Sequence, residues 1–157
     1  MNVRVYHPND CQEIIELFYN TVHAINATDY AEIQLNAWAP DIDTIKQEIN
    51  LNNRFMRDYT VVVEKDGIIV GFGNRDGKGY FDCLYVHKDH QRMGIATLIA
   101  NEIEQDTSRK GIPMITTDAS ITAKPFFEKR GYLVKKKQNV EIRGQVLANY
   151  KMEKTFR

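Results

Sequence analysis

Between Tyr59 and Thr117 the hydrophobic period of the chain switches from strand to helix and back, and this switch constrains the fold more than any other feature. Tyr59–Glu64 (YTVVVE), an Asp66-Gly67 turn and Ile68–Phe72 (IIVGF) read as a β-hairpin. A Gly-rich turn, residues 74–79, then leads into a third strand over Tyr80–His87 (YFDCLYVH). After a short loop the spacing of Ile95, Leu98, Ile99 and Ile103 becomes that of a helix face. Gly111 closes that helix, Pro113 blocks its continuation, and Met114–Thr117 is again a strand. A strand–helix–strand unit requires a parallel pair joined by a right-handed crossover. The strands before it are laid down antiparallel, so the sheet is mixed.

The flanking segments complete the plan. Asn2–Tyr6 alternates like a strand, and Asn9 or Asp10 caps a helix over Cys11–Ala24 that turns Ile14, Leu17, Phe18 and Val22 to one face. A second helix runs from Tyr30 to Trp38 and stops at Pro40; a third starts near Asp41 and uses Ile42, Ile45, Ile49 and Leu51. A short helix over Ala123–Lys129 ends at Gly131, and strands follow at Tyr132–Val134 and Val146–Met152. The expected class is α/β (α+β): a mixed, mostly antiparallel central sheet with helices on both faces. The length of 157 residues fits one domain, 1–157.

Composition narrows the function. With 43% hydrophobic residues the chain carries a core, which excludes disordered, collagen-like and disulfide-scaffold classes. Lys+Arg and Asp+Glu both number 21, so there is no basic excess to mark a nucleic-acid or anionic-membrane partner. No apolar run approaches about 18 residues, and the N-terminal stretch has no signal-like apolar region, so a cytoplasmic protein is expected. Cys11 and Cys83 belong to no Cys pair motif and read as lone thiols.

Chemistry concentrates in the loop Gln91-Arg92-Met93-Gly94-Ile95-Ala96, between the third strand and the amphipathic helix. Gly94 permits a tight turn that exposes successive backbone N–H groups, and the positive end of the helix dipole adds to them. Such a loop suits a pyrophosphate, with Arg92 at the rim, although the loop alone fits an ordinary strand-to-helix junction equally well. His87, Asp89 and His90 lack a third ligand at zinc-like spacing and read as solvated loop residues, so no metal is expected. Gly71-Phe72-Gly73 lacks the further Gly of a dinucleotide fingerprint and reads as hairpin. Lys135-Lys136-Lys137 reads as a solvated strand face.

The stretch LYVHKDHQRMGIATLIANEIE resembles motif A of the GCN5-related N-acetyltransferases (GNAT), whose Gln/Arg-x-x-Gly-x-Gly/Ala signature is met here by Gln91, Gly94 and Ala96. Ala123 to Tyr132 (AKPFFEKRGY) is similar to the family's later helix and its Gly-aromatic end, and the element order matches over nearly the whole chain. The segment holding Tyr30, Gln34 and Trp38 resembles a bacterial subgroup of unassigned substrate. The resemblance implies the acyl-CoA N-acyltransferase fold and acetyl-CoA as co-substrate, transferring acetyl to a primary amine of a small molecule or, failing that, of a protein. It also implies a pyrophosphate held by the amides from Gln91 to Ala96. The pantetheine arm would lie along Leu84, Tyr85 and Val86, with the Leu84 amide polarising the acetyl carbonyl. Many proteins of this fold dimerise, which admits a homodimer here.

The sequence departs from the family where the thiolate is reprotonated. Relatives place Asn, Ala and Tyr where this chain has Ser120, Ala123 and Phe127, and Phe127 carries no proton. Ser120 and Phe127 therefore remain candidates for contact with the cofactor, while Tyr132, Tyr85 or bulk water would supply the proton. Strand alternation puts Tyr80, Asp82, Leu84 and Val86 on one face, making Asp82 and Tyr80 the candidate catalytic groups with Asp82 the better base. Asp82 fits equally the role of partner to a neighbouring cation. His23, Tyr30 and Trp38 would wall the acceptor site and suit an amine or a small amino-acid-like molecule. The missing Tyr keeps open an alternative: a non-catalytic acyl-CoA-binding or sensing module.

Overall fold

A computed structural model describes residues 1–48 and 50–156 of the chain. Strands β1 (Asn2–Val5), β2 (Tyr59–Lys65), β3 (Ile68–Arg75) and β4 (Phe81–Val86) form one antiparallel sheet in that order. A second antiparallel sheet contains β5 (Met114–Ser120), β6 (Leu133–Ile142) and β7 (Gln145–Thr155), with β7 in the middle. The helices are α1 (Cys11–Ala24), α2 (Glu32–Trp38), α3 (Ile42–Glu48), α4 (Leu51–Arg57), α5 (Ile95–Arg109) and α6 (Lys124–Lys129).

The expected central sheet is thus split in two, and the parallel pair across the crossover is reduced to a seam. Tyr80 and Thr116 form a parallel bridge, the Thr116 amide donates to Gly79 O at 2.9 Å, and Thr117 Oγ1 donates to Phe81 O at 2.8 Å. Past the seam β4 and β5 pair with no common partner among the described residues, and the space between them is a cleft.

Helices cover both faces of the first sheet. Val61 and Val63 of β2 pack with Ile95, Ile99 and Ile103 of α5, while Val62 turns the other way, to Ile14 and Leu17 of α1. α5 lies close on β3 because of two glycines: a Cβ on Gly71 would stand 2.6 Å from Ile95 Cγ2, and one on Gly73 2.7 Å from Ile99 Cγ2. The Gly71-Phe72-Gly73 run is therefore a packing notch.

Two elements differ from expectation. The third helix is two helices, α3 and α4, because the Asn50 side chain accepts the Asn53 amide at 3.2 Å and starts a new one. Ile45, Leu51 and Phe55 are the buried residues of this pair; Ile49 lies outside the described residues. The strand expected at Tyr132–Val134 extends to Ile142. Its exposed Lys135-Lys136-Lys137 run hides the strand pattern, and charge of this kind is common on an edge strand, as β6 is.

Candidate active site

The cleft between β4 and β5 holds a cavity of about 350 Å³. One end is formed by Gln91, Arg92 and Gly94 of the loop before α5 and by Ala96 and Thr97 of its first turn; the other wall carries Ser120, Ala123, Phe126 and Phe127. Arg92 (φ 62°) and Gly94 (φ 81°) both adopt the left-handed conformation, so the chain turns tightly into the helix. Gly94 caps α5, and the amides of the first helical turn have no intrahelical acceptor and are directed toward this end of the cavity. Ile95 lines the cavity but is 1% exposed and packs into the core, so its amide is what it can offer a ligand. Met93 is 41% exposed and is not a lining residue.

β4 presents a free edge to this cavity. The His87 amide donates to Val70 O at 2.8 Å and the Cys83 amide to Asn74 Oδ1 at 3.0 Å, so these groups face β3. Antiparallel alternation turns the amides of Leu84 and Val86 to the open side. The Val86 carbonyl accepts there from Thr21 Oγ1 at 2.9 Å and Gln91 Nε2 at 2.8 Å. The Gln91 side chain therefore braces the strand end, leaving its backbone to the cavity.

A bulge re-aims Asp82. Asn74 pairs with Cys83 and Arg75 with Phe81, so Asp82 is the extra residue on β4. This corrects the expectation that Tyr80, Asp82, Leu84 and Val86 share a face. Leu84 and Val86 pack with Phe81 on the α5 side, whereas Asp82 meets Arg54 Nη1 of α4 at 3.3 Å. Asn74, fully buried, fixes the bulge by accepting the Cys83 amide and donating to Asp58 Oδ2 at 2.9 Å. Burial holds the Asp82 carboxyl above its ordinary range, against the pull of Arg54.

Asp82 also lines a second cavity, of about 380 Å³, on the α1 side of the sheet. Trp38, Asp82, Cys83, Tyr85, Asp118 and Ser120 are common to both cavities, so the two adjoin at this wall. Tyr80 lines the second one, its hydroxyl donating to Asp118 Oδ2 at 2.9 Å; burial, then the Asp118 charge, raises the phenol. Tyr30 lines it too, but its hydroxyl is committed, donating to Ala148 O at 2.6 Å and accepting the Ile121 amide at 2.9 Å.

Three residues that the sequence singles out stand elsewhere. His23, expected in the acceptor wall, lines neither cavity: its Nε2 is 2.7 Å from Ala39 O and its ring lies against Tyr19. Gln34 brackets α2 to β7, donating to Val146 O at 2.9 Å. Tyr132, a candidate proton source, is 2% exposed, lines neither cavity, and donates to Glu104 Oε2 at 2.9 Å. Phe127 packs edge-on against Phe81, Phe126 and Tyr132. Ser120 Oγ accepts the Ala123 amide at 3.0 Å. Sequence reasoning missed Arg54, Asp118 and Asn149, which reach the second cavity from α4, β5 and β7. No local pattern marks them. Among the described residues no cluster of His, Cys, Asp and Glu fits a metal ion, and no helix is long and apolar enough to cross a membrane.

Comparison with known proteins gives one consistent neighbourhood. Residues 26–154 match the family model described as an acetyltransferase (GNAT) domain. The chain is 32% identical over 152 residues, 97% of its own length and 94% of the relative's, to the Escherichia coli (strain K12) protein described as uncharacterized N-acetyltransferase YafP. A crystal structure of a GCN5-related N-acetyltransferase from Rhodopseudomonas palustris superposes with a TM-score of 0.92 at 32% identity, covering 99% of this chain and 95% of that one. The PaiA N-acetyltransferase of Thermoplasma acidophilum, solved in complex with coenzyme A, shares the fold at a TM-score of 0.78 and 18% identity, over 99% of this chain and 100% of that one.

Proposed function

This chain belongs to the GNAT acetyltransferase family and is an N-acetyltransferase, and we propose that it moves the acetyl group of acetyl-CoA to a primary amine of a small molecule by direct attack on the thioester. The observation that carries the reading is the junction of the two cavities, where the free edge of β4 meets the bulged Asp82. The first cavity fits the donor. Its loop amides and helix end suit a pyrophosphate, and the open Leu84 and Val86 amides suit the amides of an extended pantetheine arm. Acetyl-CoA, when bound, supplies an activated acetyl thioester. The Leu84 amide, on the open side of β4, would be the donor available to charge developing on the acetyl oxygen.

The second cavity holds the amine. An ammonium cannot attack, so a base must take its proton, and Asp82 lines both cavities with a carboxyl that burial has made more basic. Arg54 keeps that carboxylate oriented. The nitrogen sheds two protons between ammonium and amide. Asp82 takes the first and passes it to solvent; as the C–N bond forms and the C–S bond breaks it takes the second and returns it toward the departing sulfur, whose ordinary thiol pKa of about 8.5 asks for no strong acid. That route accommodates Phe127, which has no hydroxyl.

Calorimetry with acetyl-CoA tests the donor site. The wild type should bind at micromolar level or tighter, and Gly94→Trp should show no binding at the same concentrations. A Cβ at Gly94 meets no atom within 4 Å, so the substituted side chain leaves the backbone into open space beside the loop amides that the pyrophosphate would need. Its positive φ costs roughly 1–2 kcal/mol, which a thermal melt will report separately. Equal binding by both proteins would remove the loop from the donor site.

A further inference from the structure

The second cavity is a ring-walled box with a polar end. Phe18, Trp38, Phe55, Phe72 and Tyr85 supply rings from α1, α2, α4, β3 and β4, and Val140, Ile142 and Leu147 close it from the β6–β7 hairpin. Phe18 and Phe72 pack on Tyr85 at 5.0 and 5.7 Å between centroids, and Trp38 at 6.5 Å. The charged side chains of the lining are the carboxylates of Asp82 and Asp118 against one guanidinium, Arg54, which is already paired with Asp82. One further atom is unexplained. Asn149 Oδ1 is buried without a hydrogen-bond partner, in a residue directly opposite Ser120 across β5 and β7, beside the place where the cavities meet. A buried acceptor without a donor costs about 1–3 kcal/mol, a cost removed when a ligand N–H arrives.

We propose that this cavity selects a primary amine carried on an aromatic body without a carboxylate, its ring in the box and its nitrogen donating to Asp82 and to Asn149 Oδ1. Aromatic walls favour such a body over an aliphatic chain, both by apolar burial and by edge-on ring contacts. Two carboxylates against one paired guanidinium favour a cation and disfavour an amino acid, whose carboxylate would meet Asp118 with no free positive partner in the lining. The volume, near the low end of the roughly 300–1,000 Å³ typical of ligand pockets, suits one or two rings and not a peptide loop. This selectivity rests on reading the second cavity as the acceptor site.

Trp38 is the single tryptophan of the chain and lines the cavity, so its fluorescence reports binding without any acyl donor or turnover. Three probes separate the features: 2-phenylethylamine, L-phenylalanine (the same ring and amine plus a carboxylate) and 1,4-diaminobutane (amines without a ring). The expected result is saturable binding of 2-phenylethylamine at a Kd at least tenfold below those of the other two. Asn149→Leu should raise that Kd about five- to tenfold, the loss of one hydrogen bond. Equal or tighter binding of L-phenylalanine or the diamine by the wild type overturns the proposal, as does the absence of saturation with 2-phenylethylamine. Thiol release from acetyl-CoA keeps the two readings apart. Faster release with the diamine than with 2-phenylethylamine overturns the selectivity and leaves acetyl transfer standing. Selective binding of 2-phenylethylamine with no release from any amine supports the selectivity and overturns the transfer.

Discussion

Asp82→Asn lowers kcat for amine acetylation by about 10²- to 10⁴-fold, the usual contribution of a positioned general base. The substitution keeps shape and hydrogen-bonding reach but cannot accept the ammonium proton at neutral pH. In the wild type, activity should rise with pH as Asp82 ionises, along a limb displaced above the ordinary carboxylate pKa of about 3.9 because burial opposes the charge. That limb should vanish in the variant. Stability should move the other way. A carboxyl whose folded pKa is raised costs the folded state free energy once the pH exceeds its unfolded value, so neutralising it removes a penalty at pH 7. The ion pair lost with it involves Arg54, whose side chain is 37% exposed, and such a pair contributes little. A variant that is slow yet melts no lower than the wild type is therefore expected, from thiol-release kinetics and a thermal melt on the same preparation. An unchanged kcat would leave Asp82 as a partner of Arg54 and nothing more.

The same residue shows where sequence reasoning succeeds and where it stops. The hairpin, the α5 stripe, the Gly94 loop and the strand before it are local features. Each is set by periodicity or by one permissive backbone position, and each could be read from a dozen consecutive residues. The face Asp82 points to is not local. It depends on a bulge held by Asn74, whose amide oxygen takes the Cys83 N–H while its amino group is tied to Asp58. Strict alternation through that point misplaces the residues on one side of it. The second cavity is less legible still, since Phe18, Arg54, Phe72, Asp118 and Asn149 come from five elements spread over most of the chain. His23 and Gln34 look like site residues in the sequence because they share a segment with Tyr30 and Trp38. Their polar atoms instead satisfy backbone carbonyls at Ala39 and Val146. Asn50 carried a readable signal for the start of α4, a cap residue before Leu51 and Phe55, that a single longer helix obscures.

The largest stability effect belongs to a buried ion pair behind the site. Arg75, at the end of β3 beside the bulge, has a side chain 2% exposed. Its Nη1 donates to Asp106 Oδ2 at 2.9 Å and to Thr107 Oγ1 at 2.8 Å. These bonds fasten α5 to the sheet next to the strand that carries Asp82. Asp106→Ala strands the guanidinium in the interior and should cost about 3–5 kcal/mol of unfolding free energy in urea melts at pH 7. Arg75→Met should cost less, because Lys110 still pairs with Asp106 at 3.0 Å from a solvent-exposed position. Replacing both, with Met and Leu, should recover most of the loss, since a well-packed apolar pair often matches a buried ion pair. The pH dependence follows from the carboxyl. Burial raises it, but hydrogen bonds from Lys110 and Arg75 outweigh burial and hold it below the ordinary range. A depressed folded pKa adds stability above the unfolded value of about 3.9, and that stability is lost as the pH falls through the folded value. The gap between wild type and Asp106→Ala should therefore narrow on acidification below about pH 4. A gap that persists undiminished at low pH would mean that the packing of Asp106, and not its charge, holds α5 in place.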